Sequence, residues 1–261
     1  MTTHPLLREA QRLWEELARA PRPFPPAGDV DVIVSPRSEL CPAGWVGVVA
    51  LGGSALVTVP DGSAATTVRA ALAGLPVEAL RDAAAVRGVL PVAGVLGPAA
   101  LSYASPEGFR PAALSYASPE GFRPATASSR VERLPGDHPA LRALEAASGQ
   151  DDSAEASLDA ITSPAFVARE DGRVVAAAGY RAWPRRTAHL CVLTAPEARG
   201  RGLARTTASE AVAHALAAGL LPQWRARSPA SRRVAAALGF EELGAQLSFE
   251  IAQGCRAAVP V

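Results

Sequence analysis

The segment VLTAPEARGRGLARTTASEA, Val192 to Ala211, limits the possible folds more than any other stretch of this chain. Its apolar start reads as a strand ending at Thr194, and its Ala- and Leu-containing end reads as a helix beginning near Gly202. Between them lies a short turn made largely of Arg and Gly. A helix start leaves several backbone N–H groups unpaired and carries partial positive charge. Glycines at 200 and 202 let that backbone approach an anion closely, which suits the turn to a pyrophosphate. Arg199 and Arg201 add full charge beside it. A P-loop is excluded, because GxxxxGK[ST] is absent and all 26 basic residues are Arg, and a dinucleotide-binding GxGxxG is absent too.

The surrounding pattern is regular. HPALRALEAASG reads as a helix and SAEASLDAI as a second, short one. PAFVARED and GRVVAAAGYRAW read as strands around an Asp171-Gly172 turn, with TAHLCVLT as a third strand. The helix after the Arg/Gly turn has Leu203, Ala211, Val212, Ala215 and Leu216 on its apolar face and stops at Gly219. LPQWRAR, PASRRVAAALG and AQLSFEI follow as strand, helix and strand, giving the order ααβββαβαβ, an α/β fold with a mixed sheet. Upstream, LLREAQRLWEELARA has Leu6, Ala10, Leu13 and Leu17 at helical spacing. DVIV, GWVGVVAL and SALVTVP read as strands, the last two joined at Gly52-Gly53, and SAATTVRAALAGL and VEALRDAAAVRG as two helices. The expected organisation is an N-terminal α/β domain over 1–99, a connector over 100–129 and a second domain over 130–261.

Arg199-Gly200-Arg201-Gly202-Leu203-Ala204 resembles the [RQ]-x-x-G-x-[GA] acyl-CoA signature of the GNAT N-acetyltransferases, and SPASRRVAAALGFEELG resembles that family's later segment. The element order around the signature is similar to the GNAT order over roughly residues 130–252. The first 125 residues have the general look of a bacterial GNAT subgroup with an extra, degenerate GNAT-like α/β half. The resemblance implies an acetyl-CoA-dependent N-acetyltransferase whose acceptor is the amine of a small or amino-acid-like molecule, attacked directly. It implies that Val192, Leu193 and Thr194 pair with the pantetheine arm, and that Arg199, Gly200, Arg201, Gly202, Leu203 and Ala204 hold the pyrophosphate. Ser228 stands where the family often has Asn near the pantetheine, with Ser231 a turn further on; helix capping explains both serines equally well. The family's usual Tyr proton donor corresponds to Ala235 here, which leaves the donor unassigned and keeps open a non-catalytic acyl-CoA-binding regulatory module.

Substitutes for the missing catalytic group are few. Tyr180 sits on a strand, where packing is the commoner role. His189 alternates with Cys191 and Leu193 on one strand face and can serve as a base or as a structural imidazole. Asp151, Asp152 and Glu155 can bind a cationic amine or form a solvated acidic loop. Glu197 reads as a loop residue and Cys191 as core.

Three widely spaced cysteines without a CxxC or Cys/His cluster argue against a zinc site or a disulfide framework, so no metal is expected and a cytoplasmic location is the default. A formal net charge of +1 gives no electrostatic reason for nucleic acid or membrane as partner, and no apolar run has the length of a membrane span. Finally, ALSYASPEGFRPA occurs at Ala100–Ala112 and again, unchanged, at Ala113–Ala125. One copy suffices to join the flanking segments, so one is expected in regular structure and the other looped out, at the surface or against a second subunit of a homodimer.

Overall fold

Apolar spacing carries through to the elements of the computed structural model, which describes residues 4–20, 22–110 and 131–252. The fold is mixed α/β, in two units that interleave along the chain. One comprises the chain up to Tyr103, Arg225–Pro229 and the segment from Glu242; the other comprises Ala104–Trp224 and Ala230–Glu241.

The first unit contains α1 (Pro5–Leu17), β1 (Val30–Val34), β2 (Val46–Leu51), β3 (Ser54–Val59), α2 (Gly62–Leu72), α3 (Ala83–Arg87) and β4 (Val92–Tyr103). To these it adds nearly all of β10 (Glu241–Ile251), the final strand among the described residues. Its sheet order is β1-β3-β2-β10-β4. The β2–β3 hairpin turns at Gly52-Gly53, both at positive φ (58° and 83°), the conformation that two-residue hairpins need. β1 runs parallel to β3, and β10 runs antiparallel to β2 with Leu247 opposite Val48. Every residue of β2 and β3 is buried, so both faces of these strands are covered. Ala65, Val68 and Leu72 of α2 share a core with Val48, Val57 and Phe249. The expected face of α1 is buried, and Trp14 joins it by donating an indole N–H to the hydroxyl of Tyr103 at 2.6 Å.

The second unit holds β5 (Glu132–Leu134), α4 (Pro139–Ser148), α5 (Gln150–Ala156), β6 (Ala165–Glu170), β7 (Arg173–Trp183), β8 (Thr187–Thr194) and α6 (Leu203–Ala217). It also takes the first part of β9 (Leu221–Ala226) and nearly all of α7 (Pro229–Ala237). The sheet order is β9-β8-β7-β6-β5, antiparallel except that β8 and β9 are parallel. Asp171 and Gly172 both take positive φ at the β6–β7 turn, as an Asp-Gly hairpin should. Leu141 and Leu144 of α4 share a core with Val167, Ala177, Cys191 and Leu193.

Three expectations change. The boundaries at 99 and 130 differ from the interleaved division, because β10 pairs with β2 and so leaves the 130–261 block. VEALRDAAAVRG is not one helix: a 3-10 turn over Val77–Arg81 gives way to α3 at Asp82, whose carboxylate accepts the Ala84 N–H at 2.8 Å and caps a new start. The short strand β5 was not anticipated.

The first copy of the repeated stretch is built into the fold. Ala100–Tyr103 is the end of β4, with Tyr103 fully buried, and the Phe109 N–H donates to the Ser105 carbonyl at 3.0 Å. The Arg110 N–H donates to the carbonyl of Leu238 at 2.9 Å, and the carbonyl of Gly108 fills the space that a Cβ on Gly239 would need. The second copy, Ala113–Ala125, lies outside the described residues. Among the described residues no helix is long and apolar enough to cross a membrane, and no group of three His, Cys, Asp or Glu is placed to hold a metal ion.

Candidate functional site

Parallel pairing of β8 with β9 runs for three residues only, from Thr187 opposite Leu221 to His189 opposite Gln223. Beyond that point Leu190–Thr194 of β8 has a registered partner in β7 but none on its other flank, among the described residues. The strands thus part at His189 and Gln223, leaving one flank of β8 open for five residues. Val192 and Thr194 are half-buried on this stretch, Leu193 is buried, and the Thr194 hydroxyl is buried with no hydrogen-bond partner among the described residues.

The open flank leads through the Pro196–Ala198 turn into α6. No side chain caps that helix; its cap residue is Gly202, at φ 79°, and Gly200 is at φ 76°. A Cβ placed on either glycine would meet nothing within 4 Å, so open space adjoins the backbone at both. The glycines therefore serve backbone conformation and leave the helix start approachable. Leu203 turns inward to the core, while Ala204 is half-buried on the first turn.

Both loop arginines already have carboxylate partners. Arg199 Nη2 donates to Asp152 Oδ2 at 2.5 Å, and its Nε to the Thr194 carbonyl at 3.3 Å. Arg201 forms a forked pair with Glu170 at the end of β6, Nη1 to Oε2 at 2.8 Å and Nη2 to Oε1. These pairs are about half exposed, where an ion pair is worth little beyond ~1 kcal/mol, so they orient the guanidinium groups without locking them. Asp152 is thus joined to the arginine loop by an ion pair. Glu155, one turn further along α5, is half-buried.

The two catalytic candidates are not brought together. In the β7–β8 register Tyr180 lies opposite Leu190 and Arg181 opposite His189, which places Tyr180 and His189 on opposite faces of the sheet. The Tyr180 hydroxyl meets His214 Nδ1 of α6 at 2.9 Å, while Arg133 approaches His214 Nε2 at 3.4 Å. A guanidinium can only donate, so His214 Nε2 accepts and its Nδ1–H donates to Tyr180. Burial holds the phenol pKa above its ordinary value, with Arg133 pulling it back down. Tyr180 is therefore a tied packing residue under α6.

His189 sits at the parting of the strands. Its ring stacks on Trp183 at 4.2 Å between centroids with 8° between planes, and its Nδ1 lies 2.5 Å from Oε1 of Gln223. Since the amide oxygen only accepts, Nδ1 carries the proton. Gln223, Trp183 and Glu170 were not picked out by sequence reasoning. The one available signal was a lone Gln in an otherwise apolar and aromatic strand start, LPQW.

The remaining sequence candidates fall elsewhere. Ser231 accepts the indole N–H of Trp224 at 2.9 Å, and that indole packs edge-on to Phe240, so its hydroxyl supports α7. Ser228 is exposed and lies in Arg225–Pro229 of the first unit. Ala235 is buried at 2% exposure, its carbonyl accepting the N–H of Phe240, and supplies no proton donor.

The family model described as GNAT acetyltransferase matches residues 163–245, from the start of β6 to β10. No curated protein matches the chain. Among solved structures the chain is similar to a GNAT-family protein of Novosphingobium aromaticivorans, at 24% identity and a TM-score of 0.43, over 62% of this chain and 67% of that one. It is similar to an acetyltransferase from the GNAT family of Colwellia psychrerythraea at 16% identity and a TM-score of 0.45, over 65% of this chain and 60% of the other. A third likeness is to yncA of Salmonella typhimurium, solved with its cofactor acetyl-CoA, at 19% identity and a TM-score of 0.36, over 51% of this chain and 99% of that one. The matched stretch, residues 163–245, is the one in which the strands part and the arginine–glycine turn enters α6, and it is this part of the chain that is similar to the GNAT acetyltransferases.

Proposed function

We propose that the protein is an acetyl-CoA-dependent N-acetyltransferase acting on the amine of a small molecule. The observation that carries this reading is the open flank of β8 running into a helix start with no side-chain cap and with open space beside Gly200 and Gly202. A diphosphate fits the backbone N–H groups of Gly202, Leu203 and Ala204, with Arg199 and Arg201 exchanging their carboxylates for it. An extended arm fits the open edge running from Thr194, whose carbonyl accepts from Arg199, back along Val192, where backbone groups are available to amides.

The chemistry asked of this chain is mainly positioning. A neutral amine nitrogen attacks the thioester carbonyl carbon, forming the C–N bond; the C–S bond then breaks and the sulfur leaves with the electron pair. His189 is the titratable group at the parting of the strands, and Gln223 and Trp183 fix its ring. It takes the proton lost by the nitrogen and returns it to the sulfur, so one imidazole serves both steps where Ala235 offers no donor. That same Ala235 favours the second reading, an acyl-CoA-binding regulatory module.

Calorimetric titration with acetyl-CoA, followed by CoA release over a panel of small amines, tests both. Binding with amine-dependent release is expected. Binding without release from any amine favours the regulatory module, and absence of binding removes both. Gly202→Asp places a carboxylate at the helix start, where it repels a diphosphate and takes up the unpaired N–H groups; it is expected to weaken acetyl-CoA binding by at least about tenfold, about 1.4 kcal/mol. Unchanged affinity in that variant would mean the diphosphate lies elsewhere.

A further inference from the structure

Gln223 presents a buried polar group that the fold does not use. Its side chain has 0% exposure, its Oε1 is taken by His189, and its Nε2 has no hydrogen-bond partner among the described residues. Leaving a buried amide N–H₂ unpaired is costly, and a native fold tolerates it where a ligand completes the bond. The position is specific, since Gln223 and His189 form the last registered pair before β8 and β9 part. From there to Thr194 is five residues of strand, about 17 Å at about 3.3 Å per residue. An arm entering at the arginine–glycine turn and lying along β8 runs toward the pair that Gln223 forms with His189.

We infer that Gln223 Nε2 donates a hydrogen bond to the acyl carbonyl oxygen of bound acetyl-CoA, and so acts as a side-chain donor to the oxyanion formed during transfer. This rests on the reading that the Arg199–Ala204 turn holds the diphosphate. As the amine attacks, charge moves onto the carbonyl oxygen and the bond from Gln223 strengthens; when the C–S bond breaks the carbonyl re-forms. Gln223 keeps both its protons throughout. The same amide, through Oε1, holds the Nδ1–H of His189, so one side chain places both the carbonyl and the imidazole.

Free CoA lacks the acyl carbonyl and provides the control. Gln223→Met keeps the length of the side chain and removes the donor. Calorimetry is expected to show acetyl-CoA affinity falling about three- to tenfold while CoA affinity stays unchanged. An equal change for both ligands, or no change for either, overturns the assignment. Wild-type protein that binds CoA but not acetyl-CoA overturns it alone, whereas wild-type protein that binds neither overturns the diphosphate reading with it. Should the Met variant not fold, infrared difference spectra of carbonyl-labelled acetyl-CoA on the wild type decide the matter. The carbonyl band is expected at lower frequency bound than free, and an unshifted band overturns the proposal.

Discussion

A residue's partners decided its role at several positions where its type suggested another. Tyr180 has the chemistry of a proton donor, yet strand alternation sends it toward α6, where His214 donates to its hydroxyl. Tyr180→Phe removes that acceptor and leaves the His214 Nδ1–H without it, at an expected cost of about 1 kcal/mol, readable as a lower midpoint in urea. The variant should bind acetyl-CoA as the wild type does. The phenol also sets a pH dependence. Its pKa is raised in the folded state by burial, so its contribution is full below the ordinary Tyr value of about 10 and is lost as pH rises through the folded value. Stability of the Phe variant should fall less steeply over that alkaline range in thermal melts; equal slopes would remove the effect. The arginine–glycine turn was legible in the sequence because a helix start, two glycines and two arginines are all local. Gln223 was not, since its meaning arises from a strand pairing more than thirty residues distant that stops at its own position.

Elements were legible where periodicity was strong. α1, α2, α4, α6 and the strands β2, β3, β6, β7 and β8 follow from apolar spacing bounded by Gly, Asp-Gly or Pro. β5 did not, because three residues, Glu-Arg-Leu, carry no period, and only pairing with β6 makes them a strand. The start of β10 was equally hidden, Glu241, Glu242 and Gly244 leaving Leu243 as the one apolar side chain there; backbone pairing of Gly244 with Leu51 extends the strand. The first repeat copy acts at this scale. Tyr103 ends β4 and accepts from Trp14 of α1, both fully buried. Tyr103→Phe removes the hydroxyl that accepts from the indole N–H, at an expected cost of about 1 kcal/mol in chemical denaturation. Deleting Ala113–Ala125 should in contrast leave cooperative unfolding and acetyl-CoA binding intact, since one copy joins the flanks. Loss of folding on that deletion would show that the chain needs both.

At the scale of the molecule the sequence order misleads. A reading from left to right gives an N-terminal half followed by a GNAT-like half, whereas β10 lies between β2 and β4 in the strand order of the first unit. Nothing local marks AQLSFEI as belonging to a sheet begun some two hundred residues earlier; the pairing of Leu247 with Val48 is a non-local fact. Ending the chain after Phe240 should therefore damage the N-terminal unit and not merely trim the C-terminal one. The expected result is loss of cooperative unfolding for Trp14, read by fluorescence with Trp45, Trp183 and Trp224 replaced by Phe in both the truncated and the full-length protein. A truncated protein whose Trp14 reports an unchanged transition would show that β10 is dispensable.

That pairing also fixes an order in time. Synthesis delivers α1 through β4 first, but β2 has no β10 beside it until Glu241–Ile251 has been made. Through most of translation the nascent N-terminal sheet exposes unpaired strand edges, the surfaces most prone to wrong association. The second unit, apart from its short closing segment Ala230–Glu241, is by then already made. The half that is synthesised first is thus the half completed last.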